Sequence, residues 1–220
     1  ATASDQRDIK VRGAYAYMTG AAGLSIVDIS DPENPEFITE LPLGLGAGLH
    51  WPAVDLDLLG EEQIVVAAGT QLTVFDVSDP TSPVILSTVT FNSSVRGVAV
   101  EGLFGVAGTP NGVVGVSFED PASPVTSDYV QLGLGQSGTI EDVDLSDGLA
   151  VVAHGVRGLS TVDMSDPMAP VYLTTMGASD FKLRDVVLEG ELCLGADFFR
   201  VNEVPLVNVA QPESPVFSGL

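Results

Sequence analysis

The chain of 220 residues carries 30 acidic against 8 basic residues, a formal charge of −22, and is 45% hydrophobic. So apolar a chain can bury a large core, which excludes intrinsic disorder. So acidic a surface repels phosphate backbones and anionic bilayers, which excludes nucleic-acid binding. The acidity has two readings: a solvated surface that keeps an apolar protein in solution, or a saline or calcium-rich setting that screens the carboxylates. The first is the stronger reading; only the scarcity of lysine, Lys10 and Lys182, leans mildly toward the second.

In chain order, short extended segments alternate with turns. A first strand near Arg7–Val11 leads through a second to the Gly20–Gly23 junction, then to LSIVDISDPENP (24–35). The same block returns as QLTVFDVSDPTSP (71–83), GVVGVSFEDPASP (112–124), GLSTVDMSDPMAP (158–170) and EVPLVNVAQPESP (203–215). The first prolines, Pro32, Pro80, Pro121, Pro167 and Pro212, are 48, 41, 46 and 45 residues apart. A period in the forties made only of strands and turns marks a propeller-type array.

Within one unit there are four extended segments, for example SVRGVAVEG (94–102), LFGVAG (103–108), GVVGVSFED (112–120) and PVTSDYVQL (124–132). No window has apolar residues at helical spacing with caps. The expected fold is all-β, a propeller of four-stranded antiparallel blades. Five blades span about 7–43, 51–91, 95–132, 140–178 and 183–220 of one domain, 1–220. Each Asp-Pro turn has its own cause: Asp bonds back to the nearby backbone and Pro presets φ. The second proline then forces the residue before it to be extended.

The blocks GLSIVDISDPENP and GLSTVDMSDPMAP, with RGVAVEG (96–102) and RDVVLEG (184–190) opening their units, resemble the LVIVD repeat family. These bacterial and archaeal repeats occur mostly in exported or cell-surface proteins and are regarded as propeller blades. The resemblance covers nearly the whole chain and implies no catalytic residue. Two units depart from the pattern: Ser117 and Asn208 stand where others have Asp28, Asp76 and Asp163, and Gln211 replaces the Asp before proline. By analogy with related propellers, the strand like RGVAV is innermost and the strand after the second proline outermost. The chain then starts on an inner strand and stops on an outer one, Val216–Leu220, with no spare strand to lock first and last blades together. A closed ring of five, and an arc or part of a larger ring, both remain open.

Aligning the inner strands places Arg7-Asp8, Arg96-Gly97, Glu141-Asp142 and Arg184-Asp185 at one position, with His50-Trp51 at the corresponding place in the second unit. In a propeller these side chains converge on the channel mouth, where a mixed-charge pocket could hold a small anion or a carboxylate. The competing and stronger reading is that they pair with one another and hold the rim together.

Other candidates carry less. Cys193, the sole cysteine, lies between alternating apolar residues and is expected to be a buried structural thiol; it excludes an internal disulfide and any cysteine-based metal site. His154 has no spaced partner for zinc. The D-x-D pairs Asp55/Asp57 and Asp142/Asp144 put both carboxylates on one strand face, and lacking a calcium-loop context they are expected to be solvated. Residues 42–50 (PLGLGAGLH) form a glycine-rich connector without the lysine and helix of a phosphate loop. No metal or cofactor is expected, and no apolar run is long enough to span a membrane.

The functional expectation is therefore a non-enzymatic, extracytoplasmic interaction or scaffold module whose partner is another protein or a multi-subunit assembly. The alternative is a small-ligand receptor or hydrolase-like enzyme at the channel mouth. A start at Ala1 fits a removed leader and a fragment equally well.

Overall fold

A computed structural model describes residues 6–43, 53–133, 139–177, 182–197 and 204–219. All regular structure among them is β, in five four-stranded antiparallel sheets, each with its strands in chain order. The first holds β1 (Gln6–Arg12), β2 (Tyr15–Gly20), β3 (Gly23–Asp28) and β4 (Glu36–Leu41). The second holds β5 (Ala53–Leu59), β6 (Gln63–Ala68), β7 (Gln71–Asp76) and β8 (Val84–Thr90), the third β9 (Gly97–Glu101), β10 (Phe104–Thr109), β11 (Gly112–Ser117) and β12 (Val125–Thr126). The fourth holds β13 (Asp142–Ser146), β14 (Leu149–Ala153), β15 (Leu159–Asp163) and β16 (Val171–Met176). The fifth holds β17 (Leu183–Glu189), β18 (Leu192–Asp197), β19 (Leu206–Asn208) and β20 (Val216–Gly219). These are the five blades read from the sequence.

Two compact units contain them, Ala1–Val95 with Pro121–Ser123, and Arg96–Asp120 with Pro124–Leu220. Inside each unit the first strands of successive blades lie side by side: β1 beside β5, and β9, β13 and β17 in a row. In the first unit Tyr17, Leu24 and Ile26 of one blade bury against Leu56, Ile64, Val66 and Phe75 of the next. In the second, Val106 and Val113 pack on Ile140, Val143 and Val152, and Val151 and Leu159 pack on Leu183, Val186, Leu188 and Cys193. Burying each such side chain contributes about 1.5–3 kcal/mol, so alternation within a strand is what sets which face meets which neighbour.

The turns explain the recurring block. The strand-ending Asp28, Asp76 and Asp163 each accept the N–H of the residue two positions on, Ser30, Ser78 and Ser165. The aspartate before proline repeats the device one step later: Asp31 accepts from Glu33, Asp79 from Thr81 and Asp166 from Met168. A backbone bond from Asn34, Ser82, Ala169 or Ser214 to the carbonyl three residues back closes the turn. The departures keep the job: Ser117 Oγ accepts the Glu119 N–H and Asn208 Oδ1 accepts the Ala210 N–H. At Gln211 the backbone turn survives without an aspartate. Between the second and third strands Gly23, Gly112 and Gly158 have φ of 121°, 131° and 92°. A Cβ there would also collide with the carbonyl of Leu41, Val130 or Met176, so glycine is required twice over.

Candidate functional site

The inner strands carry the charged positions, and the ladder fixes their equivalence. Asp8 pairs with Thr19, Asp55 with Ala67, Gly97 with Gly108, Asp142 with Ala153 and Asp185 with Ala196. Three of these strands shift register just before the aspartate, at Gln6/Asp8, Ala53/Asp55 and Leu183/Asp185. The alignment of Arg7-Asp8, Arg96-Gly97, Glu141-Asp142 and Arg184-Asp185 is thus real. The second blade is corrected: Val54-Asp55 occupies that position, and His50 and Trp51 lie outside the described residues.

What the aspartates do is also different from a solvated face. Neighbouring inner strands have no ladder between them, so their amides need other acceptors. Asp8 Oδ2 accepts the Leu56 N–H at 3.2 Å, from the next blade. Asp142 Oδ2 accepts the Val186 N–H at 3.0 Å, and Asp144 Oδ2 the Leu188 N–H at 2.7 Å, again from the next blade. Oδ1 of Asp55, Asp57 and Asp144 accepts the following N–H in its own strand, at 2.8–3.0 Å. Lys10 Nζ also reaches Asp57 at 3.5 Å. Both D-x-D pairs are half-buried, so the expectation that they are solvated does not hold. Asp142 and Asp144 stitch blade to blade, and Asp57 does so through Lys10.

At the hairpin end of the same strands the device is repeated with longer side chains. Glu101 accepts the N–H groups of Asp147 and Gly148 at 2.7 and 3.0 Å. Arg12, at the equivalent position of its blade, donates to the carbonyls of Gly60 and Gln63 at 2.8 and 3.0 Å. Neither role can be read from one strand alone, because the partner sits a full repeat away.

In the second unit, Asp142 and Asp185 meet. Burial pushes the Asp142 carboxyl up to about 8, the Asp185 charge adds to the rise, and the N–H groups of Val186 and Val143 oppose it. A protonated Asp142 is a donor to Asp185, so the pair can hold one proton near neutrality. Arg184 and Asp185 are exposed, and Arg96 and Glu141 are half-buried. Glu141 lies against Gly155, whose added Cβ would come within 3.8 Å of its carboxylate. Arg7 and Asp8 belong to the first unit.

Cys193 is buried, as expected, and burial followed by the charges of Asp144 and Asp142 raises its thiol to about 12, too high for a nucleophile. His154, also buried, sits in a chain of side chains: Nδ1 is 3.1 Å from Ser160 Oγ, which is 2.7 Å from Thr175 Oγ1, itself 2.9 Å from the Tyr172 hydroxyl. This chain joins three strand segments of the fourth blade. Its signal in the sequence was the polar alternation of Ser160 and Thr175 within apolar strands. Among the described residues no three His, Cys, Asp or Glu side chains gather as a metal would require.

Comparison with known proteins agrees with the repeat. The model of the LVIVD repeat matches residues 3–41, 62–90 and 137–176, the first, second and fourth blades, while the blades with Ser117 and Asn208 are unmatched. No curated protein matches the chain. A Lactobacillus plantarum protein structure is similar with a TM-score of 0.81 at 12% identity, over 98% of this chain and 70% of that one. A Bacteroides fragilis protein described as a candidate 6-phosphogluconolactonase is similar with a TM-score of 0.77 at 9% identity, over 96% and 68%. The computationally designed Ika8 protein gives 0.65 at 12%, over 90% of this chain and 56% of its own length. At such identities the likeness shows the fold alone: a β-propeller architecture of which this chain supplies five blades.

Proposed function

We propose that this chain, which carries LVIVD repeats, is a non-enzymatic extracytoplasmic module that docks a partner protein through the turn-proximal heads of its outer strands. The observation that carries the reading is a recurring exposed valine immediately after the second proline of four of the five blocks. Val84, Val125, Val171 and Val216 are each more than half exposed, while the first block has Glu36 at that position. Each stands beside a rigid double-aspartate or equivalent turn, so an apolar anchor is held in an acidic rim, the arrangement of a protein-docking surface. The inner-strand carboxylates support the same reading, since Asp8, Asp142 and Asp144 are committed to joining blades. The acidic rim favours a basic partner and a salt-sensitive encounter.

The test is cross-linking with mass spectrometry on protein purified gently from its native source, repeated with Val84→Lys, Val125→Lys and Val171→Lys combined. Cross-links from residues near these turns to one other polypeptide, lost in the triple variant while its melting temperature holds, are the expected result. A wild-type protein that captures nothing sinks the proposal. The exposed Arg184 and Asp185 favour the second reading, a small-anion site. Arg184→Ala abolishing a saturable ligand signal in a small-molecule screen would replace the first reading with this one.

A further inference from the structure

The two oxygen-rich devices that join blades run in one direction along the chain. Asp8, Asp142 and Asp144 each reach an amide 44 or 48 residues further on, and Glu101 reaches amides 46 and 47 residues on. The fifth blade carries the same equipment on the face that points onward. Asp185 occupies the position of Asp8 and Asp142, and Glu189 that of Glu101 and Arg12; both side chains are exposed.

The apolar pattern is present there too. Leu194 stands where the first, third and fourth blades have Tyr17, Val106 and Val151, and Val204 where they have Leu24, Val113 and Leu159. Those six are 0–2% exposed under a following blade; Leu194 and Val204 are 40% and 54% exposed, and Val187 beside them 53%. Aliphatic side chains in a contiguous exposed patch mark a surface meant to be covered.

We propose that the onward face of the fifth blade, Val187, Leu194 and Val204 flanked by Asp185 and Glu189, docks a further four-stranded blade carried on the same polypeptide. Its first strand presents an amide to Asp185 about 45 residues beyond it, and its first hairpin presents amides to Glu189. Every described joint of this kind is made within the chain at that spacing. A second copy is disfavoured because each brings a charge of −22. The similar natural structures are longer than this chain, which spans 70% and 68% of them, in keeping with additional blades.

Carboxyl footprinting tests this on the unmodified protein. The polypeptide purified from its native source is treated with a carbodiimide and glycine ethyl ester, and labelling rates are read by mass spectrometry. Asp185 and Glu189 are expected to label at least about ten-fold more slowly than the turn residues Glu33 and Glu213, as protected sites do, at every protein concentration. The intact mass is expected to exceed 22.8 kDa. Equal labelling rates overturn the proposal. Protection that appears only at high concentration, in a polypeptide of 22.8 kDa, overturns it in favour of a second copy, and protection at every concentration in a polypeptide of 22.8 kDa overturns it in favour of the chain's own first blade.

Discussion

Asp142 holds its proton more tightly in the folded chain than a free aspartate does, and the consequence for stability has a definite sign. Its raised affinity contributes stability below pH 4, and that contribution is lost as pH rises toward about 8. The turn aspartates act in the opposite sense. Side-chain hydrogen bonds from Ser30, Asn34, Ser78 and Thr81 hold Asp28, Asp31, Asp76 and Asp79 below the usual range, and the Ser165 N–H does so for Asp163. Their contribution is present above pH 4 and disappears as pH falls further. Wild-type melting temperature should therefore decline between pH 5 and 8, and Asp142→Asn should flatten that decline; a variant with the wild-type slope would remove Asp142 as its cause. Replacing Asp79 by Ala should lower the denaturant midpoint at pH 7, and the difference from wild type should shrink as pH falls below 4. The turn aspartates were legible in sequence because their partners lie two residues away. Asp142 was misread as solvated because both of its partners, Val186 and Asp185, lie more than forty residues on.

At the level of strands, a third-blade glycine and a fourth-blade threonine do one job. Thr161 Oγ1 donates to the Pro212 carbonyl of the following turn at 2.6 Å. At the equivalent Gly115 the following turn comes so close that an added Cβ would run into the Pro167 carbonyl. In the first unit, which includes Pro121, Ser87 Oγ on the outer strand donates to that proline's carbonyl at 2.6 Å. Each turn is thus keyed into the middle of the preceding blade. Thr161→Val, nearly isosteric, should cost about 0.5–1.5 kcal/mol by leaving a half-buried carbonyl without its donor. Gly115→Val should cost more, because backbone must move; equal melting temperatures for wild type and Gly115→Val would refute the close approach. Strand order and turn position were readable from punctuation by Asp-Pro and Gly. The keying was not, since Gly115 looks like any strand glycine until the neighbouring turn is in place. His50 and Trp51 were assigned to the wrong register for a related reason: the glycine-rich run before them offers no alternation by which to count back from β5.

For the molecule as a whole, 30 acidic residues set against 8 basic ones make self-repulsion a term of stability. Salt screens exposed charges within about 10 Å at 0.1 M, so the melting temperature should climb with sodium chloride from a few millimolar to about half molar. A flat response would show that the carboxylates are already compensated by the hydrogen bonds described above. The same experiment at pH 5 should show a smaller rise, because Asp142 is then protonated and the charge it removes is one of the buried ones.

The one-way carboxylate joint has a consequence for how such genes change. Because a blade asks its successor only for an unpaired first-strand amide and an apolar face, a whole repeat can be duplicated or deleted without rewriting either neighbour. Unequal crossing-over in multiples of about 45 residues leaves every junction chemically intact, whereas a slip of a few residues severs one. Length in this lineage should therefore vary in blade-sized quanta, with Asp or another short acceptor kept at the start of each inner strand and a gap tolerated where, as at Gly97, the following strand supplies its own.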